Sequence, residues 1–401
     1  MPVPPPEIVP VPGPAPAEEA PEQYGVTTLE LFFDLVFVFA VTQLTGILVG
    51  ELSLTGLAQV VLAFGVLWWM YGGYAWLTNC LPPATTPRRL LLLAGMAGFL
   101  MTALATPYAF TGGGVVWGVG YLIVVLVHGA LYLQVTRSIL RVLPGNVLAA
   151  GLVIAAGLLD HGPAVYVLWT LALLVPILMP HVVPPRHWFP LRAEHIVERH
   201  GLLVLITFGE SIIAIGIGVS SAGHGPPSVA LVAAGVLSLA LVATLWWTYF
   251  AGDDERVEES LTAAERGPRT AMILNGYFYA HIPIVIGVIA MAAGLKKVLS
   301  HAWEPLHSVP AALALSGGVA LYLVGNAWFR RIMGIGPSRL RLAAAVLALA
   351  TTPLGEWIAE TEVIALVAIL TGALVLEGRR RPAAGGTAAS ASTTWDNRPR
   401  D

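Results

Sequence analysis

"LELFFDLVFVFAV", residues 29–41, reads as the apolar core of a membrane-spanning helix broken by one carboxylate, Asp34. The run continues to Val49 with only Thr42, Gln43 and Thr45 as polar interruptions. A span needs about 20 mostly apolar residues. An ionised carboxylate at its centre costs roughly 2.5–3.5 kcal/mol on insertion scales. Asp34 therefore calls for a partner, a proton or a part in moving one.

The same character extends along the chain. Its 401 residues are 56% hydrophobic and 11% charged, with a mean hydropathy of +0.76. A soluble domain carries about 25% charged residues, so a polytopic membrane protein is the first reading. A net charge of −3 without a basic patch gives no footing for nucleic acid. Cys80 is alone, which excludes an intrachain disulfide, and it reads as a small apolar filler near a helix end. Residues 1–22 are rich in proline and lack Lys and Arg, unlike a signal peptide; they and residues 378–401 read as disordered tails.

Twelve segments fit spans: 28–49, 54–78, 89–110, 114–138, 145–160, 164–182, 199–220, 227–250, 269–293, 309–331, 339–355 and 361–377. With this count nineteen of the 21 Lys and Arg fall on one side of the membrane, Arg199 included, and only Lys296 and Lys297 on the other. By the positive-inside rule both termini are expected in the cytoplasm. The charged stretch 251–268 lacks the alternating ligands and central Gly of a calcium loop and reads as a solvated cytoplasmic face. His181, His187, His195 and His200 show no metal-ligand spacing and read as interfacial.

An internal repeat emerges from Asp34 outward. "EQYGVTTLELFFDLVFVFAV" from Glu22 matches "ERHGLLVLITFGESIIAIGI" from Glu198: Gly25 precedes Asp34 by nine residues, as Gly201 precedes Glu210. The following segments end alike, in Trp68-Trp69-Met70-Tyr71 and Trp246-Trp247-Thr248-Tyr249. The expected fold is an all-α membrane protein of about twelve transmembrane helices. They form two parallel six-helix pseudo-repeats, 23–182 and 199–377, joined by a cytoplasmic linker, 183–198. Such parallel repeats are related by an axis along the membrane normal, which would set Asp34 and Glu210 at equivalent depths.

The stretches 28–44 and 198–215 and the Trp68-Trp69 region resemble the LtrA family, the bacterial low temperature requirement A proteins. The resemblance covers nearly the whole apolar portion. It implies a polytopic protein of the bacterial inner membrane linked to growth in the cold. Residues 30–44 also look like the Phe-Ser-Asp first-helix motif of two-repeat TMEM-type lysosomal and bacterial potassium channels, with Phe33 in place of the Ser.

Several polar residues fall within the apolar spans. Glu30 and Asp34 are four apart and share a helix face, with Gln43 close to it. Glu210 stands beside Thr207 and Ser211, and His128, Asn275, His281 and Asn326 lie in other spans. Pro107, Pro176, Pro283 and Pro353 are placed to break helices and free carbonyls for a cation. Asp34, Glu210, Glu30, Gln43, Ser211, His128, Asn275 and His281 are the candidate substrate- or ion-binding residues. Gly209-Glu210-Ser211 is no nucleophile elbow, and a phosphate-binding loop is missing. The expected activity is therefore not enzymatic, with no cofactor and no metal. The leading expectation is a transporter or ion-permeation protein handling a small cation or proton. The alternative is a membrane sensor or scaffold responding to lipid state or cold, its carboxylates paired internally.

Overall fold

The computed structural model describes residues 25–182, 192–223, 225–250 and 253–380. The N-terminal tail, most of the 183–198 linker with His187, and the C-terminal tail beyond residue 380 lie outside the described residues, as does the side chain of His181. Among the described residues every regular element is helical. In the first part of the chain these are α1 Thr28–Gly50, α2 Leu54–Cys80, α3 Thr86–Ala105, α4 Gly114–Tyr132, α5 Leu143–Leu159 and α6 Pro163–Val182. The second part holds α7 Ala193–Ser221, α8 Val229–Phe250, α9 Asp253–Ala263, α10 Arg266–Ile273, α11 His281–Ser300, α12 Val309–Met333, α13 Arg339–Ala350, α14 Thr352–Trp357 and α15 Ala359–Arg380.

Nine helices among the described residues are long and apolar enough to cross a membrane. The remaining three expected spans are shorter. The helix α5 and the Pro163–Leu178 part of α6 are apolar but shorter than these nine. The expected span 339–355 splits into α13 and α14, because Pro353 lacks an N–H and sits in the first turn of a new helix.

The ninth expected span is also broken. Between α10 and α11 the chain widens into a π turn, Leu274–Tyr279, closed by Ala280 N–H donating to Asn275 O at 3.0 Å. Pro283 follows and cannot donate back to Tyr279, which favours the irregular turn there. Two of its carbonyls already serve side chains: Trp68 Nε1 donates to Phe278 O at 2.8 Å and His281 Nδ1 to Gly276 O at 2.9 Å.

The two parts pack in the same pattern. In the first, α1 meets α2 and α3, α3 meets α4, α4 meets α5, α5 meets α6, and α6 returns to α2. In the second, α7 meets α8 and α11, α11 meets α12, α12 meets α13, α13 meets α15, and α15 returns to α8. The helices α11 and α12 meet closely, and a Cβ on Gly318 would stand 2.7 Å from Gly287 O. Across the middle, α1 lies against both α7 and α11. Behind α1, Phe33 stacks between Tyr74 at 4.9 Å and Phe99 at 5.1 Å, and Phe37 lies 4.3 Å from Tyr71.

Candidate functional site: a charged seam between two helices

The seam begins at the start of α1. Thr27 caps the helix and forms a reciprocal box with Glu30: Glu30 N–H donates to Thr27 Oγ1, and Thr27 N–H donates to Glu30 Oε2 at 2.9 Å. That box leaves Glu30 Oε1 to face α7. It accepts from His195 Nε2 and from Arg199 Nη1, each at 3.0 Å. One turn along, Asp34 Oδ1 accepts from Arg199 Nη2 at 3.0 Å. Arg199 thus forks across two carboxylates four residues apart, a geometry that suits a guanidinium and not an ammonium.

The surroundings fix these groups. Asn79 Oδ1 accepts from the Arg192 amide at 3.0 Å, so Asn79 Nδ2 is the donor to His195 Nδ1. His195 Nε2 is then left to donate to Glu30. Arg199 Nη1 also donates to Thr78 Oγ1, and its guanidinium lies 5.7 Å from the Phe33 ring and 5.8 Å from Tyr71. Glu30, Asp34 and Arg199 are fully buried. Among the described residues Asp34 Oδ2 accepts no hydrogen bond of regular geometry, and Tyr71 lies beside it.

This pairing corrects the expectation that Arg199 is a loop cation. The helix α7 begins at Ala193, six residues earlier than its hydropathy suggests, so Arg199 lies inside it. Arg330 and Arg341 are corrected likewise. Both are buried, with Arg330 Nη2 2.9 Å from Glu377 Oε1 and Arg341 Nη2 3.2 Å from Glu377 Oε2. Asp253 joins them by pairing with Arg330, so one end of the 251–268 stretch is interior rather than solvated.

Glu210 lies further along the same seam. Thr42 Oγ1 donates to its Oε2 at 2.5 Å; Thr45 and, from α11, Lys296 are its other polar neighbours. Glu210 is buried and has no ion pair among the described residues. Thr42 is eight residues beyond Asp34, or roughly 12 Å along α1. The equal-depth expectation is therefore corrected. The contacts Glu30–His195, Asp34–Arg199 and Thr42–Glu210 pair positions 165–168 residues apart, whereas the repeated motif is offset by 176. The two helices run parallel, but α7 is slid relative to α1.

Of the other candidates only Ser211 stands beside Glu210. Ser211 is buried next to Glu210 and its Oγ has no partner. Gln43 is half-buried and hydrogen-bonds to nothing among the described residues. His128 is buried between Tyr74 and Tyr132, at ring distances of 5.2 and 4.9 Å. Asn275 caps within its own turn, donating to Ala271 O at 2.8 Å. His281 is satisfied on both sides, since Gly276 O accepts from Nδ1 and Tyr249 donates to Nε2 at 2.9 Å.

The sequence reading missed Arg199 and His195 as partners, and missed the cap. The signals were present: Thr27-x-x-Glu30 is a capping-box pattern, and His195 and Arg199 repeat the four-residue spacing of Glu30 and Asp34.

Residues 25–376 match the bacterial low temperature requirement A protein (LtrA) family. The chain is also 32% identical, over 336 residues and 79% of each chain, to a protein of Rhizobium meliloti (strain 1021) called "Uncharacterized protein RA0937". The matched region takes in the charged seam and all nine long apolar helices, and the chain is thus an integral membrane protein that belongs to the LtrA family.

Proposed function

We propose that this protein moves a small cation or a proton across the bilayer along the seam of α1 and α7, and that it is not an enzyme. Glu210 carries the reading. Asp34 is ion-paired with Arg199, but Glu210 lies in the same seam with a threonine hydroxyl as its hydrogen-bond partner. An intramembrane carboxylate without an ion pair commonly marks a pathway. Glu210, Thr42, Thr45 and Ser211 would bind the cargo, and the Glu30–His195–Arg199–Asp34 network would close the end of the seam where α1 begins. Nucleic acid has no part in this reading, and the lipid bilayer is the protein's surroundings.

The architecture proposed with it is twelve spans in two parallel six-helix repeats. The matched packing order of α1–α6 and of α7, α8, α11, α12, α13 and α15 supports it. Termini in the cytoplasm of a bacterial inner membrane follow from the basic residues. Setting aside buried Arg199, Arg330 and Arg341 leaves sixteen of the nineteen on one side, against two on the other.

The test is flux in proteoliposomes under an imposed cation or proton gradient. Glu210→Gln keeps size and hydrogen bonding, and flux is expected to fall at least tenfold while folding is retained. Wild-type vesicles that pass neither protons nor alkali cations would overturn the proposal. Asp34's pairing favours a second reading, a membrane sensor or scaffold with internally paired carboxylates. That reading predicts no flux in any variant, with cold-growth support lost only where Arg199 or Asp34 is changed.

A further inference from the structure

Another buried acid lies outside the seam, on α15. Glu362, in the first turn of α15, is fully buried, and among the described residues neither of its carboxylate oxygens accepts a hydrogen bond of regular geometry. It lies at the opposite end of α15 from Glu377, roughly 22 Å away along the helix. Ser316 of α12 lies beside it, and Ser316 Oγ is 2.8 Å from Thr352 Oγ1 of α14.

It forms no ion pair among the described residues. The chain has no Lys or Arg between Lys297 and Arg330, nor between Arg341 and Arg379. Ser316 is within reach of it, but both hydroxyls have other acceptors. Thr352 Oγ1 donates to Leu349 O at 2.8 Å, and Ser316 Oγ donates to Ala312 O at 3.0 Å or to Thr352. Each hydroxyl has one proton, so both keep lone pairs to offer. The room for the carboxylate comes from Gly355, where a Cβ would collide with Glu362 Oε2.

A carboxylate with two hydroxyl oxygens is a hard, singly charged donor set. Among the described residues no group of three His, Cys, Asp or Glu is gathered to hold a multivalent metal. We propose that Glu362, Ser316 and Thr352 bind a small hard monovalent cation of the Na+ class. The site stands apart from Glu210 and does not depend on transport along the seam.

The experiment is thermal unfolding of the purified full-length protein in nanodiscs, titrated with NaCl against choline chloride at matched ionic strength. A Glu210→Gln background removes any contribution from the seam. In that background Tm is expected to rise with NaCl and not with choline chloride, and adding Glu362→Gln should abolish the rise. If Glu362→Gln does not fold, Ser316→Ala and Thr352→Val take its place. Each removes one neutral ligand and should raise the Na+ midpoint on the order of tenfold. A Tm that responds alike to the two salts overturns the proposal, as does a Na+ midpoint unchanged in these variants. Loss of flux in Glu210→Gln bears only on the seam, so the two proposals fail separately.

Discussion

Arg199 decides what Asp34 is. A guanidinium and two carboxylates are costly to bury separately, and their pairing repays that cost only when the geometry is complete. Here the geometry is complete on one side, with Arg199 forked over Glu30 and Asp34, and His195 held to Glu30 through Asn79. Removing one partner is the damaging change. Arg199→Ala is expected to destabilise the protein by roughly 3–5 kcal/mol, read as Tm or denaturant midpoint of the purified protein. Arg199→Lys should rescue only part of that, because an ammonium is a point charge and cannot span both carboxylates as a planar fork. Adding Asp34→Asn to Arg199→Ala should recover part of that stability, since it removes one of the two carboxylate charges left without Arg199. Additive losses in that double mutant would mean that the Arg199–Asp34 contact is not an energetic pair.

At the scale of elements, what was legible in the sequence is what depends on one helix at a time. The run 28–49 was readable because its length and hydropathy suit a bilayer, and α1 runs Thr28–Gly50. The start of α7 was not, because residues 193–198 hold two glutamates and a histidine, which hydropathy assigns to a loop. The burial of His195 and Arg199 rests on α1 supplying the matching carboxylates, a fact of packing between helices far apart in sequence. Glu362 was missed for the same reason: its setting is made by α12 and α14. The contact of α11 with α12 shows how narrow such packing is. A Cβ on Gly318 would meet the backbone of Gly287, while on neighbouring Gly317 its closest neighbour would be Leu313 Cδ1 at 3.7 Å. Gly318→Val is expected to cost at least about 1–3 kcal/mol through overpacking. Gly317→Ala should be neutral or stabilise slightly, since Ala favours helix over Gly by up to about 1 kcal/mol. Equal effects of the two substitutions on Tm would mean that the helices do not meet at Gly318.

For the whole molecule the open quantity is orientation, and the structure alters how it should be probed. The charge division that suggests cytoplasmic termini counted three arginines that are in fact neutralised in the interior. Sixteen remain, and the bias they impose is still large. Probe positions must be exposed and must leave the ion pairs intact. Asp254 is half-buried beside Asp253, so it is a poor choice, whereas Glu255 is exposed on α9. On the opposite side Glu304 is exposed in the α11–α12 connection. Single cysteines at these two positions, in a Cys80→Ala background, report the sides of the membrane independently of activity. In intact cells an impermeant maleimide is expected to label Glu304→Cys and to leave Glu255→Cys unlabelled until the membrane is opened. The reverse pattern would place the charged seam's mouth, where α1 begins, on the outer face. Labelling of both positions in intact cells would mean that an odd number of crossings is missing between α9 and α12. The parallel repeat would then fail with it, because two six-helix parts keep both termini on one side only when each part crosses an even number of times.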